Sequence, residues 1–177
     1  MVLCALFTAL IAIGAFIQIP VPYLDYFTLQ FFFVLLAGIL LGPKLGAASV
    51  AVYVAIGLAG IPIFAAGGGI TYVLRPSFGY LLGFIAAAFV AGKLCELFKE
   101  KKFAHYLISC LGGFVVTYGI GIVYKYMILK FYMDEPLSIW IIFLSCFPID
   151  IPGDIFLCIL ASSLGKRLET VKKKFGL

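Results

Sequence analysis

Residues 28–59 read TLQFFFVLLAGILLGPKLGAASVAVYVAIGLA, two apolar runs that meet at Gly42-Pro43-Lys44 and carry one charge, Lys44, between them. Glycine and proline punctuate the chain at the junction while the apolar windows on either side read as helices, so the pair is expected to form a helical hairpin. Each run is short for the roughly 30 Å of hydrocarbon in a bilayer unless flanking residues contribute.

The remainder of the chain extends that reading. Of its 177 residues 64% are hydrophobic and 12% charged, with a mean hydropathy of +1.19; a soluble domain has roughly 45–50% apolar and about 25% charged residues. A bilayer is the expected solvent. At about 20 residues per span the length accommodates about six helices, and residues 1–177 are expected to form a single membrane domain. Candidate spans are Leu3–Ile19, Thr28–Leu41, Leu45–Ala59, Phe78–Phe98, Tyr106–Tyr124 and Gly153–Leu168. No basic region precedes the first, which is therefore read as a permanent span and not as a cleaved signal peptide. Leu137–Phe147 is too short to cross and is closed by Pro148 and Pro152, so it is expected to lie in the interface with Trp140 at headgroup level. The fold expected is an all-α bundle of six transmembrane helices with a glycine-rich outer loop and a short interfacial helix before the last span.

Charge distribution tests the count independently. With six spans, ten of the thirteen cations fall on one side and only Arg75, Lys125 and Lys130 on the other; the positive-inside rule then places both termini in the cytoplasm. The formal charge of +5 is accounted for by these flanking clusters, and no nucleic-acid motif accompanies them. Five cysteines lie in separate apolar segments without CxxC spacing, so neither a disulfide framework nor a metal site is expected. The single histidine, His105, is read as a solvated loop residue. Gly92-Lys93 and Gly165-Lys166 lack the Ser or Thr that a P-loop requires, and no nucleophile set assembles around one histidine.

The unusual polar residues gather at the outer face of this topology. Thr28 and Gln30 start the second span, Gly67, Gly68, Gly69 and Arg75 lie between the third and fourth, and Asp154 stands near the start of the last. Irregular backbone at membrane depth survives only where protein or a water-filled cavity satisfies it, so three consecutive glycines point to a loop folded back into the bundle, the alternative being an ordinary outer loop. The Arg75 guanidinium suits a carboxylate, on a ligand or on an outer acid, or it snorkels to the headgroups. Asp154 follows Pro152-Gly153 and serves either as a helix-start acid or as an acceptor for a ligand's N–H groups. Ala5 and Ala9 form a small-xxx-small step, continued by Ala12 and Ala15, for close approach of another helix of this chain or of a partner.

These motifs together carry a resemblance. AGILLGPKLGAASVAVYVAIGLAGIPIFAAGGG and RPSFGYLLGF, preceded by FTLQ and followed by IPGD, resemble the BioY family, the biotin-binding S components of energy-coupling factor (ECF) transporters. The resemblance spans nearly the whole chain and is densest from Thr28 to Phe84. It implies biotin as transported ligand with no cofactor, a site near the extracellular face, and a partner module of a transmembrane coupling protein and two ATP-binding-cassette ATPases, onto which Ala5 and Ala9 dock. On that basis Asp154 is expected to accept from the ureido N–H groups and Arg75 to pair with the valerate carboxylate. Thr28, Gln30, Tyr80 and the backbone of Gly67, Gly68 and Gly69 would complete the polar shell. One departure stands out: the family commonly has a lysine three residues after the aspartate of PGD, where this chain has Leu157, so either Arg75 or Lys125 is expected to replace its charge or the binding geometry differs. Two alternatives are a solitary secondary transporter and an intramembrane metal-dependent enzyme using Asp150 and Asp154. Pro152 and Gly153 between those two acids argue against one continuous helix carrying both.

Overall fold

The computed structural model describes residues 1–20, 26–98, 102–134, 138–146 and 150–175. Leu137, Phe147 and Pro148, which figure in the expectations above, lie outside them. Helices follow the apolar windows: α1 (Val2–Phe16), α2 (Gln30–Leu41), α3 (Pro43–Leu58), α4 (Phe78–Leu97), α5 (Phe103–Phe131), α6 (Ile139–Cys146) and α7 (Asp150–Phe175). The α2–α3 hairpin turns at Gly42, whose φ of 83° favours a residue without Cβ, and Pro43 opens α3 at a position where its missing N–H costs nothing.

Three elements depart from expectation. Gln18 and Ile19, the end of the expected first span, belong with Pro20 to a strand (β1, Gln18–Pro20) paired antiparallel with Tyr26–Thr28 (β2), Gln18 opposite Thr28. His105 is not in a loop: it lies in the first turn of α5, its ring stacked on Phe98 at 4.5 Å. The last helix starts at Asp150, and runs through Pro152 and Gly153 without a break. A proline within the first turn forfeits no intrahelical hydrogen bond, so the expected break does not occur and Asp150 and Asp154 share one helix.

At the centre of the bundle α2 packs against α1, α3, α4, α5 and α7. Its residues Val34, Leu35 and Ala37 are fully buried, so this short segment is apolar on every side because protein surrounds it. Small residues bring backbones together: Gly38 lies on the Ala88 backbone of α4, and Gly83 of α4 lies on the Thr117 backbone of α5. Such contacts matter where lipid, as apolar as leucine, supplies no hydrophobic drive between helices.

Outward faces are apolar too. Leu6 and Ile13 of α1, Val52 of α3, Phe89 of α4, Val115 and Val123 of α5 and Ile159 of α7 are all exposed. A surface of this kind suits hydrocarbon, not water. By length and composition α4 and α5, each with a mean hydropathy of 1.8, are able to cross a membrane, while α1, α2 and α3 are shorter apolar helices. Trp140 on α6 is 70% exposed, its ring 6.3 Å from Phe143.

Candidate ligand-binding cavity

The connection between α3 and α4 folds inward. Phe64 plugs against Gly57 of α3, its ring 5.4 Å from Tyr53 and 4.6 Å from Tyr72. Gly67 (φ 111°) and Gly69 (φ 104°) take left-handed conformations that side chains disfavour, and the Gly69 N–H donates to the Gly57 carbonyl at 2.8 Å. Gly68 approaches the Ile61 and Gly57 carbonyls too closely to bear a side chain. The three glycines therefore seat the loop on α3. A 3-10 turn, Ile70–Leu74, follows and buries Tyr72.

Between this loop, the β2–α2 junction and helices α4, α5 and α7 lies an open cavity of about 800 Å³, a volume that counts the space open to solvent at its mouth. Phe27, Thr28, Gln30, Phe31, Tyr80 and Phe84 form one part of the wall, and Tyr118, Lys125, Asp150 and Asp154 another; Ala65, Tyr72, Ser77 and Leu81 complete it. Phe31 and Phe84 stack at 5.8 Å. Tyr118 meets Phe114 at 4.6 Å and Tyr80 at 5.8 Å.

Polar groups in the wall are held in two chains. Thr28 Oγ1 donates to Gln30 Oε1 at 3.1 Å, Gln30 Nε2 donates to the Tyr53 hydroxyl, and that hydroxyl donates to the Ile63 carbonyl at 3.0 Å. This chain joins β2, α2, α3 and the loop, and holds Gln30 in place at 4% exposure. In the second, the Tyr118 hydroxyl donates to Asp154 Oδ2 at 2.9 Å, across from α5 to α7. Asp154 is 9% exposed. Its two oxygens accept more hydrogen bonds than Tyr118 supplies, leaving capacity for a donor in the cavity. One turn earlier on the same face of α7 stands Asp150.

Of the residues expected at the site, Thr28, Gln30, Tyr80 and Asp154 come together around this cavity, whereas Gly67, Gly68, Gly69 and Arg75 are not in its lining. The glycine backbone meets α3. Arg75 is exposed, its guanidinium 5.3 Å from the centroid of the Tyr72 ring. Leu157 is buried in the core at 3% exposure. Ala5 and Ala9 lie exposed on α1, but Ala15 is fully buried and Ala12 partly so, so the small-residue surface does not continue past Ala9. Sequence reasoning missed Tyr118, Tyr72, Ser77 and Phe84 as wall residues. A signal for Tyr118 existed: it stands seven residues before Lys125 in a helix of otherwise apolar character, and that spacing repeats one helical face.

Comparison with known proteins agrees with this architecture. Residues 1–174 match the BioY family. The "Probable biotin transporter BioY" of Lysinibacillus sphaericus is 42% identical over 171 residues, covering 97% of this chain and 87% of that protein. The "Biotin transporter BioY" of Thermotoga maritima is 44% identical over 131 residues, 73% of each chain. Among solved structures, the S-component for biotin from an ECF-type ABC transporter superposes with a TM-score of 0.82 at 27% identity, over 96% of this chain and 89% of that one. A match along essentially the full length, joined to a shared helix layout, makes this chain a member of the BioY family.

Proposed function

We propose that this protein is the biotin-binding membrane subunit of an ECF transporter, taking biotin at the extracellular face for ATP-driven uptake. The observation that carries the reading is the cavity itself: a buried acceptor, Asp154, oriented by Tyr118 at 2.9 Å within an aromatic wall. Biotin presents the complementary chemistry, two ureido N–H donors and a carbonyl on a compact apolar bicycle. Asp154 accepts from the N–H groups, Thr28, Gln30 and Tyr80 supply further polar contacts, and Phe31 with Phe84 covers the rings. The relatives' names support biotin over other small ligands, and being names of transporters they disfavour the metal-dependent enzyme.

In this reading α1 to α5 and α7 are the six spans, α6 lies in the interface, and both termini are cytoplasmic by the cation asymmetry. Ala5 and Ala9, exposed on α1, offer the docking step to a transmembrane coupling protein carrying two ABC-type ATPases. Equilibrium binding to the detergent-purified protein tests the ligand. Biotin is expected to bind and desthiobiotin, which keeps the ureido ring, to compete, while lipoate, which has none, does not; competition by lipoate as strong as by desthiobiotin would remove the role given to Asp154. Co-reconstitution tests the module: uptake into liposomes by the chain alone, without ATP, would point to a solitary transporter instead.

A further inference from the structure

Three cations belong to the end of the bundle where α5 finishes and α7 begins. Arg75 is exposed and rests on the Tyr72 ring. Lys130 is exposed, donates to the Tyr126 hydroxyl at 3.1 Å and lies over the Tyr126 and Phe131 rings. Lys125 alone of the three lines the cavity. It is half-buried and has no hydrogen bond or ion pair among the described residues, where the ion pair found within 4.0 Å is Lys93–Glu96. Asp150, the other charged wall residue beside Asp154, has an interaction of its own.

A second orphan lies in the same wall. Ser77 caps α4 without making a capping bond, and its Oγ is shut off from solvent without a hydrogen-bond partner, an arrangement native proteins seldom leave unfilled. Packing puts it near the level of Lys125, because α4 and α5 run antiparallel with Phe78 against Tyr124 at 5.8 Å, Gly79 against the Tyr124 side chain and Gly83 against Thr117. The N-terminus of the 20-residue α4 adds a partial positive charge there.

Lys125 follows Tyr118 by seven residues, which is two turns on one helical face and about 10.5 Å along the axis. One end of the cavity thus holds the Asp154–Tyr118 acceptor and the other an unpaired ammonium, with Tyr80, Leu81 and Phe84 in the wall between. We infer that Lys125, beside the N-terminus of α4, forms an anion subsite that takes the carboxylate of the ligand's tail and makes the cavity select the free acid over its neutral derivatives. Arg75 stays outside this contact. The inference rests on the biotin reading, and the separation of the two ends is comparable to the reach of biotin from ureido ring to carboxylate.

Affinities of biotin and of its neutral amide for the detergent-purified protein test it. The wild type is expected to prefer the acid by about tenfold or more, as a charge-assisted hydrogen bond requires. Lys125→Met should bring the ratio of the two affinities close to one with the amide affinity retained, which also reports an intact fold. Lys125→Arg should restore the preference, and Arg75→Gln should leave it unchanged. A preference that survives Lys125→Met, or one that vanishes with Arg75→Gln, overturns the subsite while biotin binding still stands. Wild-type protein that binds neither compound overturns the functional reading, and the subsite with it.

Discussion

Asp154 shows how one residue acquires a role from its surroundings. A carboxylate near the start of a helix is ordinary; one buried among Phe27, Tyr118 and the α2 junction, with Tyr118 fixing one oxygen, is a directed acceptor. Asp154→Asn keeps the shape but turns one acceptor oxygen into an amide donor that faces the ligand's N–H groups. A hydrogen bond left unmade at a buried site costs about 1–3 kcal/mol, so biotin affinity should fall roughly fivefold to a hundredfold by titration calorimetry. Tyr118→Phe retains the ring contacts with Phe114 and Tyr80 and loses only the donor. It should weaken binding about fivefold, as expected of a neutral bond worth about 1 kcal/mol. Equal affinity in both variants would separate the pair from the ligand. Arg75 shows the converse: its charge drew attention in the sequence, yet a guanidinium spread over the Tyr72 ring is stabilised without facing the cavity.

At the scale of elements, close contact between backbones sets how helices meet. A Cβ added at Gly38 would fall on the Ala88 carbonyl oxygen, which belongs to α4 and has no freedom to swing aside. Gly38→Val should therefore lower stability by about 1–3 kcal/mol through overpacking, seen as a lower midpoint of thermal unfolding in detergent. Gly119 is the internal comparison. It is exposed in the middle of α5 with nothing within 4 Å of an added Cβ, so Gly119→Ala should be neutral or stabilise by up to about 1 kcal/mol. Equal destabilisation by both would mean that α2 and α4 are not in the contact described. The loop from Ile61 to Ser77 follows the same logic, its glycines there to let it fold onto α3 and its Phe64 and Tyr72 there to hold it.

For the molecule as a whole, the proposed function assigns two tasks to separate places, ligand binding to the polar cavity at one end and docking to the exposed small residues on α1. Ala5→Leu with Ala9→Leu should leave biotin affinity unchanged, since neither residue lines the cavity, while co-purification with the coupling protein and ATPases falls sharply. Retained assembly would move the docking surface elsewhere. The solvent class, the helix positions and the hairpin at Gly42-Pro43 were legible in the residues themselves, because apolar length and helix-breaking punctuation are local properties that a bilayer enforces on every span. What the residues did not disclose was which side of each helix faces inward. In lipid both faces are apolar, so the periodicity that marks a buried stripe in water is weak; the turn of α5 that brings Tyr118 and Lys125 to the cavity was decided by packing, whereas Pro152 is harmless for the local reason that it stands in the first turn of α7. Sequence alone therefore established a membrane bundle with polar residues at one end, and the tertiary structure chose among them, gathering Gln30, Lys125 and Asp154 around the cavity and leaving Arg75 outside it.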